Sequence, residues 1–495
     1  MLPPACHFPN EYDSDDGEQR QSQHSDETAS DLVTSRPTMI RVLKSLFSDR
    51  PPVIYFESYL EQRSDLSRVS SAHCKKVFFY HGQKVHRYNC VISTLKHAGL
   101  TESKTCNKVS LFWNDHQKPE MMKEMCAKFN HFPGSWHLGR KDLLWTHLSN
   151  MKRSHPEEYN FMPETYLDME KCAQKRENGS IWISKPPNGS CGRGICVFKS
   201  NSKFQPPKGS IVQRYIDNPL LIEGRKFDLR IYVLVTSFDP LKIYVYEDGL
   251  VRRATELYDL SKSMLNQQCV HLTNYSVNKK SEKYLKNKEN TEENKSSKWS
   301  LKELRTYLLA KGINFENIFN EIKALAVKTI ISADHVLTSY LHQSADCRKT
   351  PPFNHIFEIF GLDVIIDKNL KPWLLEVNVE PSLSSSSPFD KRIKTALIAD
   401  ALLCSGIRLP GKKPRKDIHT SERNLVKLQR NGVAGFKCHE WEVIKETIDE
   451  WSRCGQWTPV FPTTNLAVNN LLTSKRYNNE ILRLWIEHGQ INPVI

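Results

Sequence analysis

Apolar positions along the chain fall into two periods. Between residues 180 and 247 they form short, closely spaced runs rich in Ile, Val, Tyr and Phe: Ser180 to Lys185, Gly194 to Lys199, Ser210 to Ile216, Lys226 to Ser237 and Leu241 to Glu247. Such runs predict strands, and their spacing predicts a largely antiparallel sheet. A second set lies downstream, Phe357 to Asp367 and Pro372 to Asn378, parted by the polar break Asp367-Lys368-Asn369. Turn composition between two β-rich runs predicts an antiparallel hairpin. Helical spacing appears over Pro119 to Met151, over Phe315 to Leu341, which holds neither Pro nor Gly, and over Phe389 to Cys404. Apolar segments with turn breaks from Pro51 to Trp113 predict an N-terminal α/β lobe. Residues 1–36 carry Asp13, Asp15, Asp16, Glu18, Asp26, Glu27 and Asp31 among Ser, Gln and Thr, the composition of a disordered acidic tail. Asn278 to Lys298, with Lys279, Lys280, Lys283, Lys286, Lys288, Lys295 and Lys298, reads as a surface loop. The expected organisation is a tail over 1–36, an α/β lobe over 37–150, two further lobes over 151–405, and a linker with a helical region over 406–495. No internal repeat is present.

The hairpin carries the chemistry. With its turn centred near Lys368 to Leu370, Asp363 falls roughly opposite Glu376, and Asn378 shares the face of Glu376. Two carboxylates and a carboxamide suit magnesium, which keeps part of its coordination shell for waters and substrate phosphates. Acids among Leu, Val and Trp are costly without a partner. Asp363, Glu376 and Asn378 are therefore the expected metal ligands, and phosphoryl chemistry the expected reaction class. Upstream, Lys185 ends a strand beside the loop Pro186 to Gly194, whose glycines let backbone amides approach phosphate oxygens. That loop is neither the Walker nor the Rossmann pattern, and alone it reads equally as a plain turn. Gln213-Arg214-Tyr215-Ile216 offers backbone and amide contacts to a purine. Lys226, Asp228 and Arg230 alternate onto one strand face, either solvated on an open sheet or lining a nucleotide site; the hairpin favours the site.

Composition narrows the setting. A chain of 495 residues accommodates two or three subdomains. No stretch approaches about 20 apolar residues and no N-terminal run resembles a signal peptide, so a soluble intracellular protein without a membrane partner is expected. Thirteen cysteines without a CxxC pair or zinc spacing read as reduced packing residues. The formal net charge of +14 implies an acidic partner, and charge alone leaves nucleic acid, anionic membrane and acidic protein tails open. The absence of a zinc finger, a Gly-rich RNA motif or a basic helix with heptads disfavours nucleic acid. The basic run Lys412 to Lys416 reads as a solvated linker or a nuclear address.

Four motifs together carry a resemblance. Lys226-Phe227-Asp228-Leu229-Arg230, Asp248-Gly249-Leu250-Val251-Arg252, His271-Leu272-Thr273-Asn274-Tyr275-Ser276 and Glu376-Val377-Asn378 resemble the successive motifs of the tubulin tyrosine ligase-like family, in its polyglutamylase branch. The similarity runs from about Asn130-His131-Phe132-Pro133-Gly134-Ser135 to about residue 405, and more weakly through Val460-Phe461-Pro462. It implies an α/β, ATP-grasp-like fold whose central and C-terminal catalytic lobes, over 151–405, are antiparallel sheets flanked by helices. The implied activity is an ATP- and magnesium-dependent ligase that joins L-glutamate to glutamate side chains in the acidic C-terminal tails of tubulin, through an acylphosphate.

By the same resemblance, ATP would be held by Lys141, Lys185, Cys191, Gly192, Gln213, Arg214, Tyr215, Ile216, Lys226, Phe227, Asp228, Thr273 and Asn274, and magnesium by Asp363, Glu376 and Asn378. Arg230 would face the transferred phosphoryl group. Arg252 would grip the α-carboxylate of free L-glutamate, with Tyr275, Ser276, Lys298 and Lys394 completing that pocket. Arg230, Arg252, Lys298 and Lys394 are thus the candidate catalytic residues. Tubulin and microtubules are the implied partners, other acidic proteins stay open, and a monomer in the cytoplasm, on the cytoskeleton, cilium or basal body is expected. A glycylase or tyrosine ligase of the same family, or a catalytically weak microtubule-binding protein, are the alternatives. Two positions depart from the family pattern: Cys191, where many relatives carry Arg or Gln at a position that tracks chain initiation against elongation, and Glu380, where Ser is usual.

Overall fold

The structure, a computed structural model, describes residues 38–58, 66–74, 76–106, 108–116, 127–167, 177, 179–189, 192–261, 263–285, 296–344, 355–385, 387–410 and 432–488. The expected acidic tail, Cys191, the basic run Lys412 to Lys416, and Lys286, Lys288 and Lys295 of the lysine-rich loop lie outside the described residues. At the N-terminal end, β1 (Thr38–Leu43), β2 (Val53–Ile54) and β3 (Val69–Cys74) form an antiparallel sheet in the order β2-β1-β3. Next, β4 (Phe78–His81), β5 (Thr101–Ser103), β6 (Leu111–Trp113) and β7 (Lys128–Phe129) form a parallel sheet in the order β5-β4-β6-β7. The helix Asn89–His97 makes the crossover from β4 to β5, as a parallel pair requires.

Two antiparallel sheets follow. The smaller has the order β10-β9-β11-β8, from β8 (Thr165–Tyr166), β9 (Ile181–Lys185), β10 (Cys196–Lys199) and β11 (Ile211–Arg214). The larger is built on the long strands β13 (Arg225–Phe238) and β14 (Leu241–Arg253), with β12 (Leu221–Ile222) paired to β13. Its order is β15-β14-β13-β16-β17, where β15 is Lys298–Ser300, β16 Glu358–Ile366 and β17 Pro372–Asn378. The strand β18 (Trp457–Phe461) lengthens this sheet along the outer edge of β14.

Period two decides what each face of β13 meets. Phe227, Leu229, Ile231, Val233 and Val235 join a core with Phe319, Ile322 and Ile330 of the helix Phe315–Ser332. Tyr232 and Leu234 face a second core with Leu397, Ile398 and Leu402 of the helix Pro388–Ser405. The large sheet is therefore sandwiched between helices, and Lys226, Asp228 and Arg230 continue the Tyr232 face past the end of its apolar half.

Three elements differ from the sequence expectation. Among the described residues within Pro119 to Met151, Lys128–Phe129 is a strand whose Phe129 amide donates to the His355 carbonyl, and helix occupies Trp136–Gly139 and the stretch from Lys141 onward, in Lys141–Ser154. Gly134 turns the chain between them at φ 87°, where a Cβ would lie 2.5 Å from the Tyr340 ring. The run Phe315 to Leu341 breaks at Ala333 into Phe315–Ser332 and Asp334–Ser344. Arg476 holds both carboxylate oxygens of the fully buried Asp334 at 2.7 and 2.9 Å, which fixes the start of the second helix. The C-terminal region contributes β18 besides helices; its Pro459 hides the strand from a propensity reading and is tolerated because β18 is an edge.

The segment preceding β18 is fastened by charge. Glu450, on the helix Cys438–Trp451, accepts from Lys242, Thr236 and, at 2.6 Å, the Tyr244 hydroxyl, all buried under the large sheet. Glu450→Ala strands the Lys242 ammonium in apolar surroundings and is expected to destabilise the protein by about 3–5 kcal/mol. Denaturant unfolding of that variant, beside a Lys242→Met/Glu450→Leu double variant that recovers most of the loss, measures it.

Candidate active site

Strand register assembles a polar row across the large sheet. Lys298 of β15 lies opposite Arg252 of β14, and Arg252 opposite Asp228 of β13. Two residues along, Arg230 lies opposite Asp363 of β16, Asp363 opposite Glu376 of β17, and Gly361 opposite Asn378. The hairpin holds a bulge, since Asp363 pairs with Glu376 and Val364 with Leu374, leaving Leu375 extra. That residue sends Leu374 and Val377 into the core while Glu376 stays on the side of Asp363.

The row is tightly ion-paired. Arg230 Nε donates to Asp363 Oδ1 at 2.7 Å, and Arg252 Nη2 lies 2.8 Å from Asp363 Oδ2. Arg252 also clasps Asp228 bidentately at 2.7 and 2.6 Å, and Thr273 Oγ1 donates to the same carboxylate at 2.5 Å. Burial alone would raise the Asp363 pKa, but the two guanidiniums outweigh it and hold the carboxyl well below the usual range. Lys141 Nζ sits 3.0 Å from Glu376 Oε2 and donates to the Gly189 carbonyl at 2.9 Å, tying the phosphate-type loop to the hairpin. Asn378 donates its Nδ2 to Gly361 at 3.2 Å. The three expected hairpin ligands offer oxygen atoms; Asp363 and Glu376 line the cleft and now face cations, and Asn378 keeps its amide oxygen while its Nδ2 is spent on a carbonyl, so the set fits a hard divalent ion.

Between the two larger antiparallel sheets runs an open cleft. Lys141, Lys185, Gly192, Tyr215, Ile216, Lys226, Asp228, Thr273 and Asn274 all line it, with Arg252, Asp363 and Glu376. Gly192 adopts φ 74°, and a Cβ there would press on Val277 at 3.0 Å. Gln213 also lines the cleft, and its amide accepts from Lys185 Nζ at 2.7 Å and donates to Thr165 Oγ1 at 2.9 Å, so its side chain holds the lysine there. One expected contact is corrected. Phe227 is fully buried in the core on the opposite face of β13, as alternation demands, and no part of its ring reaches the cleft. Arg214 lines the cleft, but its guanidinium lies 5.7 Å over the Trp182 ring and 3.6 Å from Glu177.

Both deep lysines are strained electrostatically. Burial, against Glu376 and helped by Lys141, lowers Lys185 to about 8; burial, against Asp228 and helped by Lys185, lowers Lys226 to about 7. Each is a cation stored in a site that favours the neutral amine until an anion arrives.

The third group centres on an acid that the sequence reading missed. Asp390 is 2% exposed and binds Lys298 through Oδ2 at 3.0 Å and Lys394 through Oδ1 at 3.1 Å. Lys394 also donates to the Ser384 carbonyl at 2.5 Å, and Lys298 Nζ stands 4.6 Å over the Tyr275 ring, next to the half-buried Ser276. Its only sequence signal is Ser387-Pro388-Phe389-Asp390, a helix start in which Ser387 Oγ accepts from the Asp390 amide at 3.0 Å. A cap residue does not announce itself as a counter-ion. Glu380 reaches His116, whose Nδ1 is 4.0 Å away. Cys191 is outside the described residues.

Two antiparallel sheets closing on lysines, paired carboxylates and an oxygen-donor hairpin define an ATP-grasp-like protein. The sequence model of the tubulin-tyrosine ligase family matches residues 119–416, and the chain belongs to that family. It is 40% identical to human tubulin monoglutamylase TTLL4 over 92% of this chain and 41% of that protein. It is 35% identical to mouse tubulin polyglutamylase TTLL5 over 78% of this chain and 32% of that protein, and 39% identical to Xenopus tropicalis tubulin polyglutamylase TTLL7 over 61% and 34%. The chain thus spans about a third to two fifths of the length of these relatives.

Phosphates entering the cleft raise both lysines towards their ordinary values, so binding takes up protons at pH values between the free and bound pKa. The sign follows: affinity for a nucleoside triphosphate analogue is highest below about 7 and falls as pH rises through the free-state values of about 7 and about 8. A loss of roughly a hundredfold or more from pH 7 to pH 9 is expected where both lysines return to their ordinary values in the complex. Calorimetry with AMP-PNP and magnesium in buffers of different ionisation heat reads both the affinity and the proton uptake; a flat profile would remove the assigned role of the two lysines.

Proposed function

We propose that this protein is an ATP- and magnesium-dependent ligase that adds L-glutamate to glutamate side chains in the acidic C-terminal tails of tubulin. The observation that carries the reading is the continuous polar row Lys298, Arg252, Asp228, Arg230, Asp363 and Glu376, which passes from the lysines of the cleft to the Lys298–Asp390–Lys394 group. A phosphate-binding end, a hard-ion end and a cationic pocket are what an acid–amine ligation through an acylphosphate needs side by side.

Lys185 and Lys226 draw the triphosphate into the cleft, and Lys141 shifts between Glu376 and phosphate oxygens. Magnesium on Asp363, Glu376 and Asn378 supplies charge neutralisation at the phosphates when bound. Arg230 is positioned on the transferred phosphoryl group as an acceptor γ-carboxylate oxygen attacks the γ-phosphorus and ADP leaves. The amine of L-glutamate, its proton lost, then attacks the acyl carbon, and inorganic phosphate leaves as the isopeptide bond forms. Arg252 grips the incoming α-carboxylate, while Lys298 and Lys394 provide the positive charge that favours a dicarboxylate over glycine or tyrosine.

The names of the relatives agree on glutamate as the amino acid and on tubulin as the substrate, and the net charge of +14 favours an acidic acceptor. Other acidic proteins satisfy the same electrostatics. The microtubule cytoskeleton is the proposed place of action.

Mass spectrometry of tubulin incubated with the protein, ATP, magnesium and a mixture of glutamate, glycine and tyrosine tests the reading. Glutamate-sized increments on the tails are expected, and increments of glycine or tyrosine would overturn the choice of amino acid. Asp363→Ala is expected to cut the rate by roughly a hundredfold or more and, by leaving Arg230 and Arg252 short of a counter-charge, to lower the melting temperature as well; full activity in that variant would refute the metal assignment.

A further inference from the structure

Lys226 is held from behind by a chain of two buried groups, Tyr215 of the cleft wall and His271. Its Nζ lies 2.8 Å from the Tyr215 hydroxyl and 4.3 Å over the same ring. The Tyr215 hydroxyl is 3.0 Å from Nδ1 of His271, and the His271 Nε2 is 3.1 Å from the Met264 carbonyl. Lys226, Tyr215 and His271 are 7%, 3% and 2% exposed, so water does not share these bonds.

The proton positions along the chain are constrained at its far end. A carbonyl only accepts, so His271 carries its hydrogen on Nε2. Burial, with Lys226 adding to it, lowers the His271 pKa to about 4, so the ring is neutral and Nδ1 is a bare acceptor. Tyr215, whose own pKa burial pushes well up, has one hydrogen to give, with Nδ1 of His271 as an acceptor at 3.0 Å. The Tyr258 hydroxyl, whose hydrogen goes to the Asp217 carbonyl at 3.0 Å, also bonds the Tyr215 hydroxyl; with the Tyr215 hydrogen on either acceptor, its oxygen lone pairs are left for Lys226. Asp228 and Lys185 are the other charged groups that face Lys226, and the Asp228 oxygens are taken by Arg252 and Thr273.

We infer that Tyr215 and His271 are positioning residues: their hydrogen-bond chain takes one hydrogen of the Lys226 ammonium and aims the other two into the cleft. A lysine on a free four-carbon stem loses rotamer entropy when it grips a phosphate; one already tethered loses less and arrives in the bound geometry. Thr273, two residues after His271, binds Asp228, so the same segment sets both the lysine and the carboxylate beside it. The inference rests on the reading that phosphates occupy this cleft.

The test is calorimetric binding of AMP-PNP with magnesium between pH 6 and 9, in two buffers of different ionisation heat, for the wild type, Tyr215→Phe, His271→Asn and His271→Leu. Tyr215→Phe removes the acceptor behind Lys226; roughly tenfold weaker binding is expected, with proton uptake displaced to lower pH. Asn can present an oxygen where Nδ1 stood, so His271→Asn is expected within about threefold of wild type with an unmoved profile, and His271→Leu to follow Tyr215→Phe. A merely structural role would lower the melting temperature of the variants without moving the pH profile, and that result would overturn the inference. So would wild-type affinity and proton uptake in Tyr215→Phe. Failure of the wild type itself to bind AMP-PNP would instead bring down the nucleotide reading, and the inference with it.

Discussion

Asp228, Asp363, Arg230 and Arg252 lie within one nearly dry stretch of the large sheet, and their four charges sum to zero. Any one of them alone would be expelled or neutralised by the surrounding low dielectric; together they satisfy one another's hydrogen bonds. The sheet is shaped to admit them. Gly249 and Gly361 flank Arg230 on the two neighbouring strands, where a Cβ would come within 2.5 Å of the Arg230 carbonyl and 3.0 Å of its Cδ. Helices cover both apolar faces, so the polar end of the Tyr232 face is left as the place where a charged ligand can meet protein charge. Metal, phosphate and amino-acid carboxylate would all enter by exchanging partners within this neutral set, without creating new buried charge.

The hairpin was legible in the sequence because two things coincided there: a turn of recognisable composition between β-rich runs, and acids at positions where period two puts them on one face. The alternation Lys226, Asp228, Arg230 was legible for the same reason. The α/β fold with antiparallel sheets followed from strand spacing, and the family motifs joined the pieces. What stayed hidden depends on contacts between distant segments. Period two alone would put Leu374 on the face of Glu376; only the bulge at Leu375 separates them, and a bulge leaves no compositional mark. Asp390 reads as a helix cap until Lys298, 92 residues earlier, is folded against it. Gln213 has the chemistry of a base reader, and only the placement of Lys185 and Thr165 shows that its amide also holds the lysine. Phe227 sits in a motif whose charged neighbours point the other way.

The cleft also explains a tension in the composition. The chain is strongly basic, yet the lysines deepest in the site are held at depressed pKa values by burial. Surface charge acts at long range and draws an acidic partner in, whereas buried charge is shielded from that role and acts only on what reaches contact. The two sets of cations serve different distances.

The strand that presents Arg252 also carries, at its other end, the pairing with β18, and beneath it lies the Lys242–Glu450 contact. The residues matched by the family's sequence model stop at 416, before Glu450 and before β18. A polypeptide cut at that boundary would retain the motifs of the catalytic lobes and still expose a bare β14 edge and an unneutralised lysine under the sheet. The catalytic motifs and the contacts that complete their sheet therefore occupy stretches of different length.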